Sequence, residues 1–578
     1  MSTQLPPVAP EVTAALVEAL SPRLRKRLDA GIAKLAGRPV DREGDTVRIA
    51  VDDTTYVELH APDGAVTTPD AVRCGCLLAP DCLHRAAAAS SAPVAELPVA
   101  AEPLTDDAAP PRVTTEPQDS EAPDAEQPTP DQLAAAHAVW TAAAAVLDAG
   151  ADGCGAVLQA ELLRAAHTAR LAGLHRVAAA SSSVVTALRA ARSADPAYRL
   201  ADLVAALGDV LAASHRLPSA EGPELAALRG TARQPYRPDG SLRLYGLFTE
   251  PVLTANGYAG AVTWTADAHG RLYQVPDVAP GGASRAVGAA DRAVRLGDTA
   301  LTHRELSRAG LAVSGATVSP TGRLGAGAKV RAVRAPGVDW RADPLDRLWR
   351  VPLADQLARA LTPDSPGLLF LEVTFTGTVR ESAGDCLLAT SDGITLRLTS
   401  AHDDPALPHR DNLRLLAAAT DTPLRVIARL TPAAHPRATL LATEHPTIAG
   451  THVDVGLDRL QKADLPPHTP APRPAPPADE PPVHLLVRRV HQTAAGGRRA
   501  LTHPGSGAVT DPRHLATHGL PTAAALLTEL HSSATTRSRD AFGRLLPTDP
   551  TRFTEAWLKA REYTVALERA LCVAGWTA

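Results

Sequence analysis

Residues 73–85 read Arg73-Cys74-Gly75-Cys76-Leu77-Leu78-Ala79-Pro80-Asp81-Cys82-Leu83-His84-Arg85. Three thiols and one imidazole within eleven residues match the Cys₃His set that zinc takes in structural sites. The alternative is four ordinary residues with free thiols, but an unrelated sequence seldom places four such ligands so close together. We therefore predict zinc ligation by Cys74, Cys76, Cys82 and His84. Because four protein ligands leave no position open for water, this zinc is expected to be structural and not catalytic.

The first ligand pair follows a predicted β-hairpin. Short alternating apolar runs over residues 45–51 and 55–59 flank a polar turn, which is typical of a hairpin. Cys74 and Cys76 lie two residues apart, so both side chains point to one face if the strand continues through them. Gly75 between them is expected to let the backbone bend, so that both sulfur atoms reach one ion.

The second ligand pair is expected at the start of a helix. Cys82 and His84 would point about 200° apart inside a regular helix, so one of them must lie at its first residues. Asp81 is a good N-cap, which predicts that both ligands fall in the first turn of a helix. The positive end of this helix, with Arg73 and Arg85, favours the thiolate form of the ligands. The expected module is a small ββα zinc finger.

This ligand pattern resembles the SWIM zinc-finger family, whose signature is C-x-C, a variable gap, and C-x-H after a β-hairpin. The resemblance covers about residues 45–90. The gap from Cys76 to Cys82 holds five residues, at the short end for the family, and Leu83 stands where Lys is common. Residues 166–176 and the β-rich region that follows look like long bacterial SWIM proteins. That wider resemblance implies a protein-binding adaptor beside MoxR-type AAA ATPases and von Willebrand A proteins.

The whole chain of 578 residues is too long for one core, and its patterns predict an α+β multidomain protein. Composition and periodicity divide it into N-terminal helices with the finger (1–90), a disordered acidic Pro-rich linker (91–130), a helical bundle (131–237), a β-rich region (238–455), a second Pro-rich linker (456–482) and a C-terminal α/β unit (483–578). The C-terminal unit is expected to open with a strand over residues 483–490.

Five β segments at the end of the β-rich region predict a small barrel of OB-like type. The turn Asp392-Gly393 joins two of them as a tight hairpin. The segments span residues 369–378, 386–390, 394–398, 424–430 and 439–443.

Charge and composition restrict the location and the partners. The formal net charge of −5, with a pI near 6.5, argues against a surface that is a nucleic-acid footprint throughout. Met1 is followed by neither a basic segment nor an apolar one, and the Ala-rich stretches are interrupted by charged residues and histidine. We therefore expect a cytoplasmic protein with no membrane span. Six cysteines, three of them clustered, indicate a metal site and not a disulfide framework.

One basic run offers an alternative partner. Arg23, Arg25, Lys26 and Arg27 lie just before the finger and are candidates for contact with DNA or RNA. Against this, the finger is rich in acidic residues and has no interleaved aromatic side chains for base stacking. The simpler interpretation of the run is the exposed face of an amphipathic helix.

Other motifs do not indicate an enzyme. The glycine-rich stretch 322–329 fails the phosphate-loop pattern, because Ala328 occupies the lysine position. His167, His175 and His215 have no acidic partner at metal-site spacing, and Cys154, Cys386 and Cys572 are expected to be buried apolar residues. The sequence thus predicts a non-enzymatic, zinc-binding interaction protein with a protein partner, the alternative being a nucleic-acid binder.

Overall fold

The computed structural model shows mixed helix and sheet in two compact units. It describes residues 5–95, 126–195, 198–231, 236–254, 258–297, 299–327, 329–362, 365–381, 384–420, 422–466, 474–475, 481–503, 507–537, 540–544, 546 and 549–577. Residues 1–233 and 482–564 form the first unit, and residues 234–481 and 565–578 form the second. Most of the two predicted linkers, residues 96–125, 467–473 and 476–480, lies outside the described residues, and the predicted domain boundaries stay predictions.

The first unit opens with helices and a four-stranded antiparallel sheet. Its elements are α1 (Pro10–Glu18), α2 (Pro22–Arg25), α3 (Leu28–Leu35), β1 (Val40–Glu43), β2 (Thr46–Ala50), β3 (Tyr56–His60), β4 (Val72–Cys74) and α4 (Leu83–Ser91). The strands pair in the order β1-β2-β3-β4, so the predicted hairpin is β2–β3 with one further strand on each side. Val57 and Leu59 of β3 are fully buried beside alanines of α4.

A bundle of helices follows in the predicted helical region. It consists of α5 (Pro130–Gly153), α6 (Ala156–Leu171), α7 (His175–Arg192), α8 (Leu200–Arg216) and α9 (Gly222–Arg229). Thr129 caps α5 by a reciprocal capping box with Gln132, which satisfies backbone N–H groups that a helix start leaves unpaired. Ala156 and Ala160 of α6 are buried in the same apolar cluster as the N-terminal sheet, so the zinc-ligand region shares its core with the bundle.

The second unit begins with a five-stranded antiparallel sheet. Its elements are β5 (Arg237–Leu253), β6 (Tyr258–Ala266), β7 (Leu272–Pro280), α10 (Gly282–Val287), α11 (His303–Leu306), β8 (Gly310–Val318) and β9 (Arg331–Ala335). The strands pair in the order β7-β6-β5-β8-β9. The strand β5 is long enough to pair with β8 through its first half and with β6 through its second half.

A ring of five strands follows in the second unit. After α12 (Leu353–Ala360) come β10 (Leu368–Glu381), β11 (Gly384–Ser391), β12 (Ile394–Thr399), α13 (His409–Leu416), β13 (Pro423–Leu430), β14 (Arg437–Glu444), β15 (His452–Asp454) and β16 (Pro474–Ala475). All five predicted β segments are strands. The ring closes on its starting strand through the pairings β10–β11, β11–β12, β12–β14, β14–β13 and β13–β10. The pairing β12–β14 is parallel.

The predicted C-terminal strand over residues 483–490 is wrong. The chain there is helical, and the elements are α14 (His484–Gly496), α15 (Arg498–Thr502), α16 (Thr510–Thr517), α17 (Pro521–Thr535) and α18 (Thr551–Thr577). Leu486, Val490 and Thr493 are buried, and their spacing of three to four residues is that of one helix face. The described residues after 482 contain no strand, so this part is helical and not the predicted α/β unit.

Helix α5 alone among the described helices has the length and apolar composition of a membrane span. Its buried residues, among them Val139 and Leu147, pack in the core of the bundle. This is weak evidence for a span, because the core helix of a bundle has the same composition.

Candidate metal centre

The four predicted ligands meet between the end of the N-terminal sheet and the start of α4. Cys74 is the last residue of β4, Cys76 lies in the turn that follows, and His84 lies in the first turn of α4. The candidate ligand atoms of these three residues and Cys82 all lie within 4.8 Å of one another. In the described residues no other group of three or more His, Cys, Asp or Glu side chains is close enough to hold a metal.

The distance between two of the ligand atoms matches that in a tetrahedral metal site. With zinc–sulfur and zinc–nitrogen bonds of usual length, neighbouring ligand atoms lie about 3.6–3.8 Å apart. The Sγ of Cys74 and the Nδ1 of His84 are 3.7 Å apart. The donor set of three sulfur atoms and one imidazole nitrogen is also one that zinc favours. The residues present therefore fit a structural zinc ion.

The helix start differs by one residue from the prediction. The N-cap of α4 is Cys82, with extended backbone angles (φ −102°, ψ 154°), and not Asp81. The extended conformation places the Cys82 side chain against the other thiols, where it is buried, while Asp81 is exposed. A ligand can thus occupy the capping position itself, where thiolates are stabilised by the helix N-terminus.

The thiols influence each other's ionisation. A hydrogen bond from the Cys74 thiol, followed by the backbone N–H of Arg85, lowers the pKa of Cys82 against the opposing effect of burial. The pKa of Cys74 is raised, first because its thiol donates to Cys82 and then because of burial. The cluster therefore favours the thiolate at Cys82 over that at Cys74, and a bound dication would stabilise all three thiolates.

Arg85 holds the peptide segments around the ligands in place. Its guanidinium group is buried and donates to three backbone carbonyl oxygens: those of Val72, of Pro80 and, at 2.6 Å, of Pro69. These carbonyls belong to the strand that carries Cys74, to the loop before Cys82, and to the turn before β4. The sequence predicted only that the charge of Arg85 favours the thiolate form of the ligands. The one feature of the sequence that marks this residue is its position before four alanines in α4.

The loop between the two ligand pairs is exposed. Leu77 and Leu78 are 103% and 63% exposed, so neither side chain contributes to the core. Gly75 does not have a positive φ, and a Cβ atom there would meet nothing within 4 Å. A bend at Gly75 therefore does not depend on the conformational freedom of glycine.

One arginine of the basic run before the sheet is held against the end of α1. Arg25 donates from Nε to the carbonyl oxygen of Leu20 at 3.0 Å and from a terminal nitrogen to that of Glu18, so its side chain binds the end of α1. Arg23, Lys26 and Arg27 are exposed.

The exposed face of the N-terminal sheet alternates in charge. Paired positions across the four strands are Asp41, Arg48, Glu58 and Arg73, and Arg48 forms an ion pair with Glu58 at 2.8 Å. Alternating charges of this kind balance one another on a solvated surface. The sheet itself therefore presents no extended cationic surface to a phosphate backbone.

The other residues that the sequence singled out take structural positions. Cys154, Cys386 and Cys572 are buried, as predicted. The glycine-rich stretch joins β8 to β9, with Ala328 outside the described residues. The Nδ1 of His167 lies 3.6 Å from Glu11, and the ring of His215 lies 5.5 Å from that of Trp140.

Comparisons with known protein families, with curated proteins and with solved structures give no match to this chain.

Proposed function

We propose that Cys74, Cys76, Cys82 and His84 bind one structural zinc ion. The observation that carries the proposal is the convergence of three sulfur atoms and one imidazole within 4.8 Å. Zinc supplies a fixed tetrahedral link between the end of β4 and the start of α4. The proposal includes no reaction, because the four protein ligands fill the coordination sphere and leave no position for a substrate or water.

We further propose that the module is a SWIM-type finger within a cytoplasmic adaptor that binds other proteins, in keeping with a partner such as an AAA ATPase system. The C-x-C and C-x-H ligand pairs on either side of a strand–helix connection support this assignment. The exposed Leu77 and Leu78, held between ligands, offer apolar contacts of the kind that protein interfaces use.

In the second unit, the ring order of five strands with α13 before β13 supports an OB-like barrel.

Copurification from the native cell tests the adaptor proposal. A protein partner should accompany the wild-type chain and the Gly75→Ala variant, and it should be lost with Leu77→Asp/Leu78→Asp. Because salt screens charges and not apolar contacts, the complex should survive moderate salt. A partner that is retained by the double aspartate variant would show that the zinc loop is not the contact surface.

The alternative function is binding of DNA or RNA through Arg23, Arg25, Lys26 and Arg27. Such binding would weaken steeply with salt, and replacing Arg23, Arg25 and Arg27 by alanine would flatten that dependence. Arg25 donates to the backbone oxygens of Glu18 and Leu20, which holds its side chain against the end of α1 but does not neutralise its charge. Submicromolar nucleic-acid binding at physiological salt, abolished by the triple replacement, would establish this alternative in place of the adaptor.

A further inference from the structure

Positive charge is concentrated in the five-stranded sheet of the second unit. Residues 236–337 contain twelve lysines and arginines against seven aspartates and glutamates, whereas the chain as a whole has a formal net charge of −5. A local excess of this size attracts anionic partners even when the net charge of the protein is negative.

Two of the arginines border a floor of small residues on one face of the sheet. Arg243 of β5 pairs with Ala312 of β8, which pairs in turn with Val333 of β9. Ser314, two residues further along β8, pairs with Arg331. Paired residues in antiparallel strands share a face, and residues two apart on a strand do so as well. Arg243 and Arg331 thus lie on opposite sides of the small residues Ala312 and Ser314.

This face is open to solvent. Val333 is 60% exposed, and Arg331 and Ser314 are exposed. The opposite face of the same strands carries Leu311, Val313 and Ala332, all of them buried in the core. The face with the arginines is therefore the outer surface of the sheet.

The charge of Arg243 is not neutralised by a carboxylate in the part of the chain that the structure describes. Its guanidinium group donates to the carbonyl oxygens of Pro336 at 2.6 Å and of Leu244 at 3.3 Å. It also lies 4.7 Å from the centre of the Tyr245 ring, which fixes the guanidinium plane over an aromatic surface. By contrast, Arg271, which directly precedes the other edge strand β7, forms an ion pair with Asp239.

An exposed aromatic ring lies at one end of this surface. Tyr236 is 41% exposed. A Cβ atom added at Gly325 would lie 3.1 Å from the Tyr236 ring. Gly325 donates its backbone N–H to Thr317 at 2.8 Å. Thr317 alternates with the buried Ala316 and Val318, so it faces the same outer side as Ala312 and Ser314. The glycine gives the Tyr236 ring room to lie against this face.

We propose that the outer face of β5, β8 and β9 binds single-stranded nucleic acid. Arg243 and Arg331 contact phosphates, and Tyr236 stacks on a base. Extended single strands are bound by cationic surfaces with exposed aromatic rings, since every base offers a stacking face. The small side chains between the two arginines leave room for an extended strand, and the exposed tyrosine ring favours a ligand that carries bases over an acidic peptide. This surface is separate in sequence from the metal centre and from the run Arg23–Arg27.

Fluorescence anisotropy with the full-length protein and a labelled oligothymidine of about twenty nucleotides tests the proposal, since one binding module covers about 4–16 nucleotides. Binding should be present at low salt and weaken between about 50 and 200 mM salt. Arg243→Ala/Arg331→Ala should reduce the slope of log affinity against log salt by about 1.4, because each lost phosphate contact on a single strand contributes about 0.7. Tyr236→Ala should weaken binding about tenfold through loss of stacking.

The matched control is Arg380→Ala/Arg414→Ala, which removes two charges from side chains that are 89% and 75% exposed in the same unit. This control should bind like the wild type. Arg331→Ala alone, on an exposed edge strand, keeps the test valid if replacing Arg243 disturbs folding, and it should lower the slope by about 0.7.

Four results would overturn the proposal. The first is absence of binding at low salt, and the second is an equal loss of binding in the Arg380/Arg414 control. The third is displacement of the oligonucleotide by polyglutamate at the same concentration of charge, which would assign the face to an acidic peptide. Loss of binding on replacing Arg23, Arg25 and Arg27, with the sheet variants unaffected, would likewise move the site to the N-terminal run.

Discussion

Arg85 shows how one side chain outside the ligand set can determine the geometry of a metal centre. Its three carbonyl partners belong to segments that lie 5, 13 and 16 residues away. The four ligands were predictable because their pattern is local in sequence. The role of Arg85 was not, since nothing in a single sequence shows which distant carbonyl oxygens a buried guanidinium will reach. The N-cap was misplaced by one residue for a related reason, because the thiol cluster overrides the usual preference for aspartate.

Replacing Arg85 by alanine should weaken metal retention strongly. The change leaves three backbone carbonyls without their donor, at a cost of about 1–3 kcal/mol for each one that remains buried and unpaired. Lysine should not rescue the loss, because a single ammonium group cannot span three oxygens as the planar guanidinium does. Competition with a chromophoric zinc chelator measures the effect.

Arg73→Ala is the matched control for this prediction. Arg73 also adjoins the cluster, but it is exposed and donates only to the carbonyl oxygen of Asp70, at 3.3 Å, among the described residues. It should retain zinc like the wild type. If both variants lose zinc equally, Arg85 acts through its charge and not through its hydrogen bonds.

At the level of elements, short apolar runs were an uneven guide. Residues 386–390 and 439–443 are runs of this kind and form strands of the ring, in which residues 394–398 alternate with period two. Residues 483–490 combine two adjacent leucines with valines, and such a run fits a strand or a buried helix equally well. The helix prevails because Leu486 and Val490 pack against the bundle, a contact between segments far apart in sequence.

Helix α11 carries a buried group that makes stability depend on pH. His303 is fully buried, with its Nδ1 2.8 Å from the Thr263 hydroxyl, and burial lowers its pKa to about 4 against the weaker opposing effect of Asp277. The unfolded chain, with an ordinary histidine pKa near 6.5, binds the proton first as pH falls. The contribution of neutral His303 to the free energy of unfolding is therefore fully present above pH 6.5. About 3 kcal/mol of this free energy is lost progressively as the pH falls to 4.

Denaturant unfolding of the wild type and His303→Gln between pH 7 and pH 4 measures this effect. The variant should lose less stability than the wild type over this interval. His409, whose pKa burial lowers to about 3, contributes in the same direction, so some pH dependence should remain. Parallel curves for the two proteins would show that His303 is not the titrating group.

At the scale of the whole molecule, the two compact units combine segments that are distant in the chain. Residues 482–564 join residues 1–233, and residues 565–578 join residues 234–481. Composition and periodicity identify segments but not which of them share a core, so this grouping could not be derived from the sequence. The core shared by the N-terminal sheet and α6 also means that the zinc-ligand region does not depend on metal alone for its stability.

Brief proteolysis should cut first within residues 91–130 and next within residues 465–482. The composition of both stretches provides too few apolar residues to offset the entropy of ordering the chain. Residues 131–217 should resist, because the helices α5 to α8 share one buried core. Mass spectrometry of the early fragments locates the cuts. Equally early cutting inside 131–217 would show that the bundle is not a compact unit.

Elemental analysis of the freshly purified protein measures the metal content of the Cys₃His cluster. We expect one zinc per chain in the wild type and in Gly75→Ala, and none in Cys82→Ser or His84→Ala. The two ligand variants should lose amide protection around residues 72–84, while α6 and the rest of the bundle stay folded through their own core. A wild-type protein that contains no zinc, or ligand variants that retain it in full, would contradict the assignment of this cluster as a zinc site.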